Sequence, residues 1–243
     1  MFCGRTPLTL EHVWPQWVAA ALPGEGPLRV ERRALGEAPV SWERVSLEIT
    51  VRRVCVGCNN GWMSELETAA KPILEPLVLG RSRTLIAAEV ETAALWCAKT
   101  ALMFQWTHPD RRQTPDAHYR WLCQNRTPPP NTFVWIAGYS GTRWSGWYNH
   151  QILGLRDPGG PDTGDRGYCA TLIVGSLAFQ VTAIDAVDPM DIEKASDNEP
   201  YIRQVWPSRG VAVQLPPPLL LDDVSLPHFA DPFDAEKHGD SLA

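Results

Sequence analysis

Val45, Leu47, Ile49 and Val51 fall at every second position of the stretch 40–56, VSWERVSLEITVRRVCV. Successive strand side chains point to opposite faces, so this spacing predicts a half-buried strand, one half of a hairpin. A shorter strand-like run, Leu8–Val13, opens the chain and passes into a brief amphipathic stretch through Trp17 and Leu22. Gly24, Gly26 and Pro27 mark a loop after it. Beyond Asn59 and Asn60, both cap candidates, the period changes: Trp62, Leu66 and Ala69/Ala70 recur at helical spacing. Glu65 and Glu67 sit early in that helix, where its dipole favours acids. Pro72 is expected to end it.

The longest helical pattern runs from Glu89 to Trp106, with Leu95, Ala98, Leu102 and Trp106 along one face. A further helix is predicted near 115–124. After the PPP at 128–130 the texture becomes β-rich: TFVWIAGY, RWSGWYNHQILGL and YCATLIVGSLAFQVTAI, separated by Gly, Pro and Asp. An antiparallel sheet is expected there. The C-terminal stretches VDPMDIEKASDNEP and LPPPLLLDDV are acidic and Pro-rich, and are expected to drape over the body. The predicted class is α+β, with a small N-terminal module over 1–75 and an α+β domain of unassigned role over 76–243.

The 243 residues are 44% hydrophobic and 21% charged, enough to bury a core, which excludes wholesale disorder. A net charge of −6 first argues against a nucleic-acid binder. Its distribution changes that reading. Residues 1–184 hold 18 Lys+Arg against 16 Asp+Glu, a net of +2, whereas 185–243 hold 4 against 12, a net of −8. Arginine makes up 18 of the 22 basic residues, which suits bidentate phosphate recognition, although a GC-rich coding sequence yields the same bias. No run approaches the ~18–20 apolar residues of a membrane span. Glu11, His12 and Pro15 interrupt the opening segment, and a cytoplasmic, reducing location is expected. There, six cysteines read as thiols or metal ligands rather than disulfides.

One constellation stands above this background. Cys3-Gly4 and Glu11-His12 are followed, some forty residues on, by Cys55-Val56-Gly57-Cys58-Asn59-Asn60-Gly61-Trp62. A C-x-x-C between a strand and a helix forms a zinc knuckle whose two thiolates share an ion with ligands from elsewhere. Cys3 is the candidate partner. With FCG at 2–4, EHVWP at 11–15 and CVGCNNGW at 55–62, the first 70 or so residues resemble the zinc-stapled HNH endonucleases. The same order, EHVxPxW then CNxGWM, also marks a group of uncharacterised bacterial HNH-like proteins.

The resemblance implies a zinc-bound ββα-metal module, of HNH or treble-clef type, in a metal-dependent endonuclease that hydrolyses phosphodiester bonds in DNA, with RNA open. In it, His12 is the general base, Glu11 and Asn59 hold one Mg²⁺-like cation, and Cys3, Cys55 and Cys58 hold a structural Zn²⁺. Three departures stand beside it. The family places another cysteine just ahead of the position of Met1, Thr50 occupies the place of the middle Asn, and Asn59 stands where His is common. They keep an alternative open: a catalytically degenerate zinc knuckle that binds nucleic acid or a protein partner.

Blander roles weigh on the same residues. Asn59 suits a helix cap, Glu11 a solvated acid, and His12 a structural histidine or zinc ligand. Arg52 and Arg53, with Arg32 and Arg33, are candidate phosphate contacts, which position nucleic acid without specifying its sequence. Trp62, Trp135, Trp144 and Trp147 could stack on bases, but tryptophans in a β-rich domain mostly serve the core. His108, His118 and His150 show no ligand spacing, and Cys97 and Cys123 are expected in the core. No phosphate loop, GxGxxG or GxSxG motif occurs. The 160 C-terminal residues could also carry the main function, with the zinc module as a staple.

Overall fold

The computed structural model describes residues 1–22, 28–33, 40–44, 46–107, 114–143, 145–156, 162–186, 188–192, 194 and 198–230. Helices and largely antiparallel sheets make it an α+β protein. Strand β1 (Leu8–His12) pairs antiparallel with a strand at Thr50–Cys55, and a short helix, α1 (Gln16–Ala21), follows β1.

The single strand expected over 40–56 is two. β2 (Leu28–Arg33) and β3 (Val40–Arg44) pair with each other, while β4 (Thr50–Cys55) is the partner of β1. Between β3 and β4 the chain turns, with Ile49 N–H donating to the Leu47 carbonyl and Glu48 N–H to Ser46 Oγ. Leu47 and Ile49 are still buried, so the period-two signal survives without a continuous ladder. Val45 lies outside the described residues. Because β2 and β3 leave for the large sheet, the β1/β4 unit is built from discontinuous pieces of the first 75 residues.

Directly after β4 come α2 (Val56–Cys58), an irregular turn over Asn59–Met63 kinked at Gly61, and α3 (Ser64–Val78). The helix therefore starts before Asn59, which is already in right-handed helical geometry, and the cap is the Cys55 sulfur, accepting from Cys58 N–H. Nor does Pro72 end α3, which runs on through Pro76. Proline removes a helix donor, so Pro76 leaves the Pro72 carbonyl without its usual bond. The Arg83 guanidinium donates to that carbonyl and also pairs with Glu89. The true stop is at Gly80, at φ +73, where Gly80 and Arg81 N–H groups return to the Leu77 and Pro76 carbonyls.

β5 (Arg83–Leu85) leads into α4 (Ala87–Phe104), and α5 (Asp116–Asn125) follows, both close to expectation. The β-rich half supplies β6 (Thr132–Gly138), β7 (Gly146–Arg156), β8 (Asp162–Val174) and β9 (Leu177–Asp185). The β8–β9 hairpin turns on Gly175 at φ +55, a conformation that favours glycine. With β10 (Ile202–Trp206), the large sheet has the order β10-β6-β9-β8-β7-β2-β3, antiparallel except where β2 runs parallel to β7.

Every residue of β6 is buried, because both faces of the sheet are covered. Val134 and Ile136 face the core shared with α3 and α4. Phe133, Trp135 and Ala137 face the other way, under Leu226 and Phe229 of α6 (Leu226–Ala230). The C-terminal segment thus adds β10 to one sheet edge and β11 (Val213–Leu215) to β5, besides covering a face. Two of its acids are structural: Asp222 accepts Val224 and Ser225 N–H at the start of α6, and Asp223 accepts from the Tyr139 hydroxyl and Thr142 N–H. Among the described residues, no helix is long and apolar enough to cross a membrane.

Candidate metal centre

Cys3 precedes β1, Cys55 ends β4 and Cys58 ends α2, so the β1/β4 pairing closes a 52-residue gap in sequence. Leu8 pairs with Cys55, and Val56 N–H donates to the Pro7 carbonyl, which carries the N-terminal segment back over the C-x-x-C turn. Gly4, at φ +72, makes the turn after Cys3 in a conformation that costs other residues roughly 1–2 kcal/mol. The sulfurs of Cys3, Cys55 and Cys58 lie within 4.8 Å of one another, and Cys3 and Cys55 are 3.3 Å apart. The group can hold a metal ion.

The Cys3 and Cys58 thiols perturb each other's titration. Burial foremost, then hydrogen bonding with the Cys3 and Cys55 thiols, holds the Cys58 thiol far above its ordinary range. Burial also pushes the more exposed Cys3 thiol up, but hydrogen bonds with the Arg5 backbone, Cys55 and Cys58 outweigh it and leave Cys3 below its ordinary value. Such a cluster resists losing all its protons without a cation to offset the charge. Sulfurs this close to one another can share a single ion.

On the other side of the C-x-x-C turn, Asn59 Nδ2 donates to the Leu10 carbonyl at 3.4 Å, and the Asn59 side chain lies near enough to Glu11 to favour its charged form. Burial pushes the Glu11 carboxyl up to about 7. The Lys99 charge and the Asn59 side chain oppose that rise, while the Glu67 charge adds to it. Lys99, on α4, is fully buried and pairs with Glu67 of α3. Glu67 also accepts the indole N–H of Trp17 at 2.9 Å and of Trp96 at 2.8 Å. A polar cluster of three elements therefore lies beside the Glu11–Asn59 pair.

The structure thus brings Glu11 to Asn59. His12 pairs in register with Thr50, one step beyond Glu11 and Val51, and strand alternation sends its half-buried side chain to the other face. Its imidazole has no hydrogen-bond partner among the described residues. Arg52 and Arg53 are exposed on β4, with the Arg53 guanidinium 4.8 Å from the centre of the Trp106 ring. Arg32 and Arg33 lie on β2, with side chains outside the described residues.

Trp62, Trp135 and Trp147 are buried, as tryptophans that serve the core are, which leaves them unavailable to stack on bases, and Trp144 lies outside the described residues. Cys97 is buried in α4 as expected; Cys123 instead reaches the cluster, 3.9 Å from Cys58 Sγ. His118 and His150 are core residues, and His108 lies outside the described residues. Lys99, Glu67 and Cys123 were the residues that sequence reasoning missed. Lys99 stands on the otherwise apolar face of its helix, and that placement was the available signal. Comparison with protein-family models, curated proteins and solved structures returns no match.

Proposed function

We propose that the β1/β4 pair and the helix after it form a zinc-stapled ββα unit of the HNH endonuclease type, which hydrolyses phosphodiester bonds in DNA. The observation that carries this reading is the meeting of Glu11 and Asn59 at the junction of β1 with the C-x-x-C turn, next in sequence to an uncommitted imidazole at His12. In the cysteine cluster Zn²⁺ is the proposed ion, since thiolates suit it and a cluster that joins segments 52 residues apart suits a structural role.

Glu11 and Asn59 offer carboxylate and amide oxygens, a donor set that fits a hard cation of the Mg²⁺ kind, which keeps its other positions for water and phosphate. Such a cation supplies charge neutralisation at the scissile phosphate and leaving oxygen. His12 takes the proton of the attacking water, a transfer for which imidazole is suited near neutral pH. The phosphodiester is seated at the end of β1, where it reaches around the strand to His12 on one face and the Glu11–Asn59 pair on the other. Arg52, exposed on the adjoining strand, supplies a phosphate contact.

Supercoiled plasmid and a single-stranded RNA, each incubated with Mg²⁺, Mn²⁺ or Ni²⁺, test the reading. Cleavage should fall by about 100-fold or more in His12→Ala. Absence of cleavage on both substrates, or equal rates for the variant, sinks it.

Thr50 in place of the family's Asn, and the buried Lys99 charge acting on Glu11, favour a second reading. There the unit is a catalytically degenerate zinc knuckle that binds nucleic acid or a protein partner. It predicts stoichiometric zinc, salt-sensitive DNA binding where DNA is the partner, and no turnover.

A further inference from the structure

We propose that Cys123, on α5, is the fourth ligand of the cysteine metal site, completing a four-thiolate set with Cys3, Cys55 and Cys58. The proposal rests on the reading of the three-cysteine cluster as a metal site and adds a ligand from a distant part of the chain. Cys123 Sγ lies 3.9 Å from Cys58 Sγ across 65 residues of sequence, but outside the group of the other three sulfurs, which all lie within 4.8 Å of one another, so it must close further onto the ion when the ion binds. The Cys58–Cys123 separation matches the roughly 3.8 Å between two thiolates on one tetrahedral Zn²⁺.

Its helix is seated on the knuckle by contacts that have nothing to do with sulfur. Tyr119 meets Phe2 with ring centroids 5.7 Å apart, and Phe2 directly precedes Cys3. Arg126, at the helix C-terminus, places its guanidinium 4.8 Å from the centre of the Trp62 ring. Trp62 itself meets Phe2 edge-on at 5.1 Å. Residues four apart share a helix face, so docking Tyr119 against Phe2 turns Cys123 toward the same site.

The set needs no cysteine ahead of Met1. Three thiolates come from the β1/β4 unit and the turn after it, and the fourth ties in α5, the helix that precedes β6 of the large sheet. Folding and metal loading are then linked across the whole chain, because ligands that converge only in the folded state convert binding energy into folding energy. Each cysteine loses its thiol proton on binding, and the ion offsets the negative charge left on the sulfurs.

The test uses the full chain loaded with Zn²⁺ or Co²⁺, reading metal per chain by elemental analysis and thiolate-to-cobalt charge transfer by absorption. One ion per chain is expected. Cys123→Ser should lose about a quarter of the charge-transfer intensity, one ligand in four, and should yield zinc to a chelator at about tenfold lower concentration. Cys97→Ser, a buried cysteine in α4, should change neither reading. Should Cys123→Ser fold poorly, Cys123→His keeps a ligand at the position, and retained binding with a shifted cobalt spectrum supports the assignment. A wild-type spectrum and chelator response in Cys123→Ser, with binding abolished in Cys58→Ser, overturns the fourth ligand and leaves the three-cysteine site standing. Failure of the wild type to bind either metal overturns both.

Discussion

Glu11 carries a cost that its neighbours only partly relieve. Burial raises its carboxyl to about 7 from an ordinary value near 4.5. The folded chain therefore holds a proton there that the unfolded chain releases between those two values, so this group lowers stability as pH rises through that window. Glu11→Gln keeps the shape and removes the charge. Without added Mg²⁺, it should unfold at higher denaturant than wild type at pH 8, by roughly 1–3 kcal/mol, and match it near pH 4. A variant no more stable at pH 8 would contradict the burial of this carboxylate. Lys99 makes the opposite case. Its removal leaves Glu67 inside with two indole donors but no cation, so Lys99→Met should cost about 3–5 kcal/mol in urea denaturation. A cost below about 1 kcal/mol would show the pair to be solvent-screened.

At the scale of elements, the junctions depend on side chains remote in sequence. α3 runs on past Pro76 because Arg83, from the next strand, takes up the carbonyl that this proline cannot serve. Arg83→Ala should cost about 1–3 kcal/mol. It should also speed amide exchange in the second half of α3 ahead of the rest of the chain; uniform acceleration would argue that the bond does not hold the helix. Residues near 40–56 show why the strand break was hidden. A period of two reports which residues are buried, and Leu47 and Ile49 are, yet it carries no information on whether neighbouring residues share one ladder. Asn59 misled in a similar way: its composition suits a cap, but the Cys55 sulfur reaches the Cys58 amide first.

Across the whole molecule, the large sheet is sandwiched, and the second cover comes from the last described helix. Phe229 is 7% exposed against the face that carries Phe133 and Trp135. Phe229→Ala should lower stability by about 3 kcal/mol and raise binding of an apolar dye, as that face opens to water. An unchanged denaturation midpoint would place the cover elsewhere. The acidic C-terminal quarter gains a second meaning here. Asp222 and Asp223 are held below the ordinary carboxylate range, Asp222 chiefly by bonds from Ser225 and Asp223 chiefly by the Tyr139 hydroxyl. Both therefore stay ionised, so these acids fasten the cover while still counting in the net −8 that an anionic partner meets.

Local patterns were enough to predict the α+β class, the helices near α4 and α5, the β-rich second half and a metal-suited C-x-x-C, because propensity, turn residues and ligand spacing act over a few positions. Long-range closure decided the rest. Only the folded chain brings Cys3 to Cys55 and Cys123 to Cys58, pairs Glu67 with Lys99, sets Glu11 by Asn59 and parts it from His12. The physical reason is that a thiol, a carboxylate or an ammonium takes its chemistry from burial and neighbouring charge, and those neighbours lie tens of residues away in sequence.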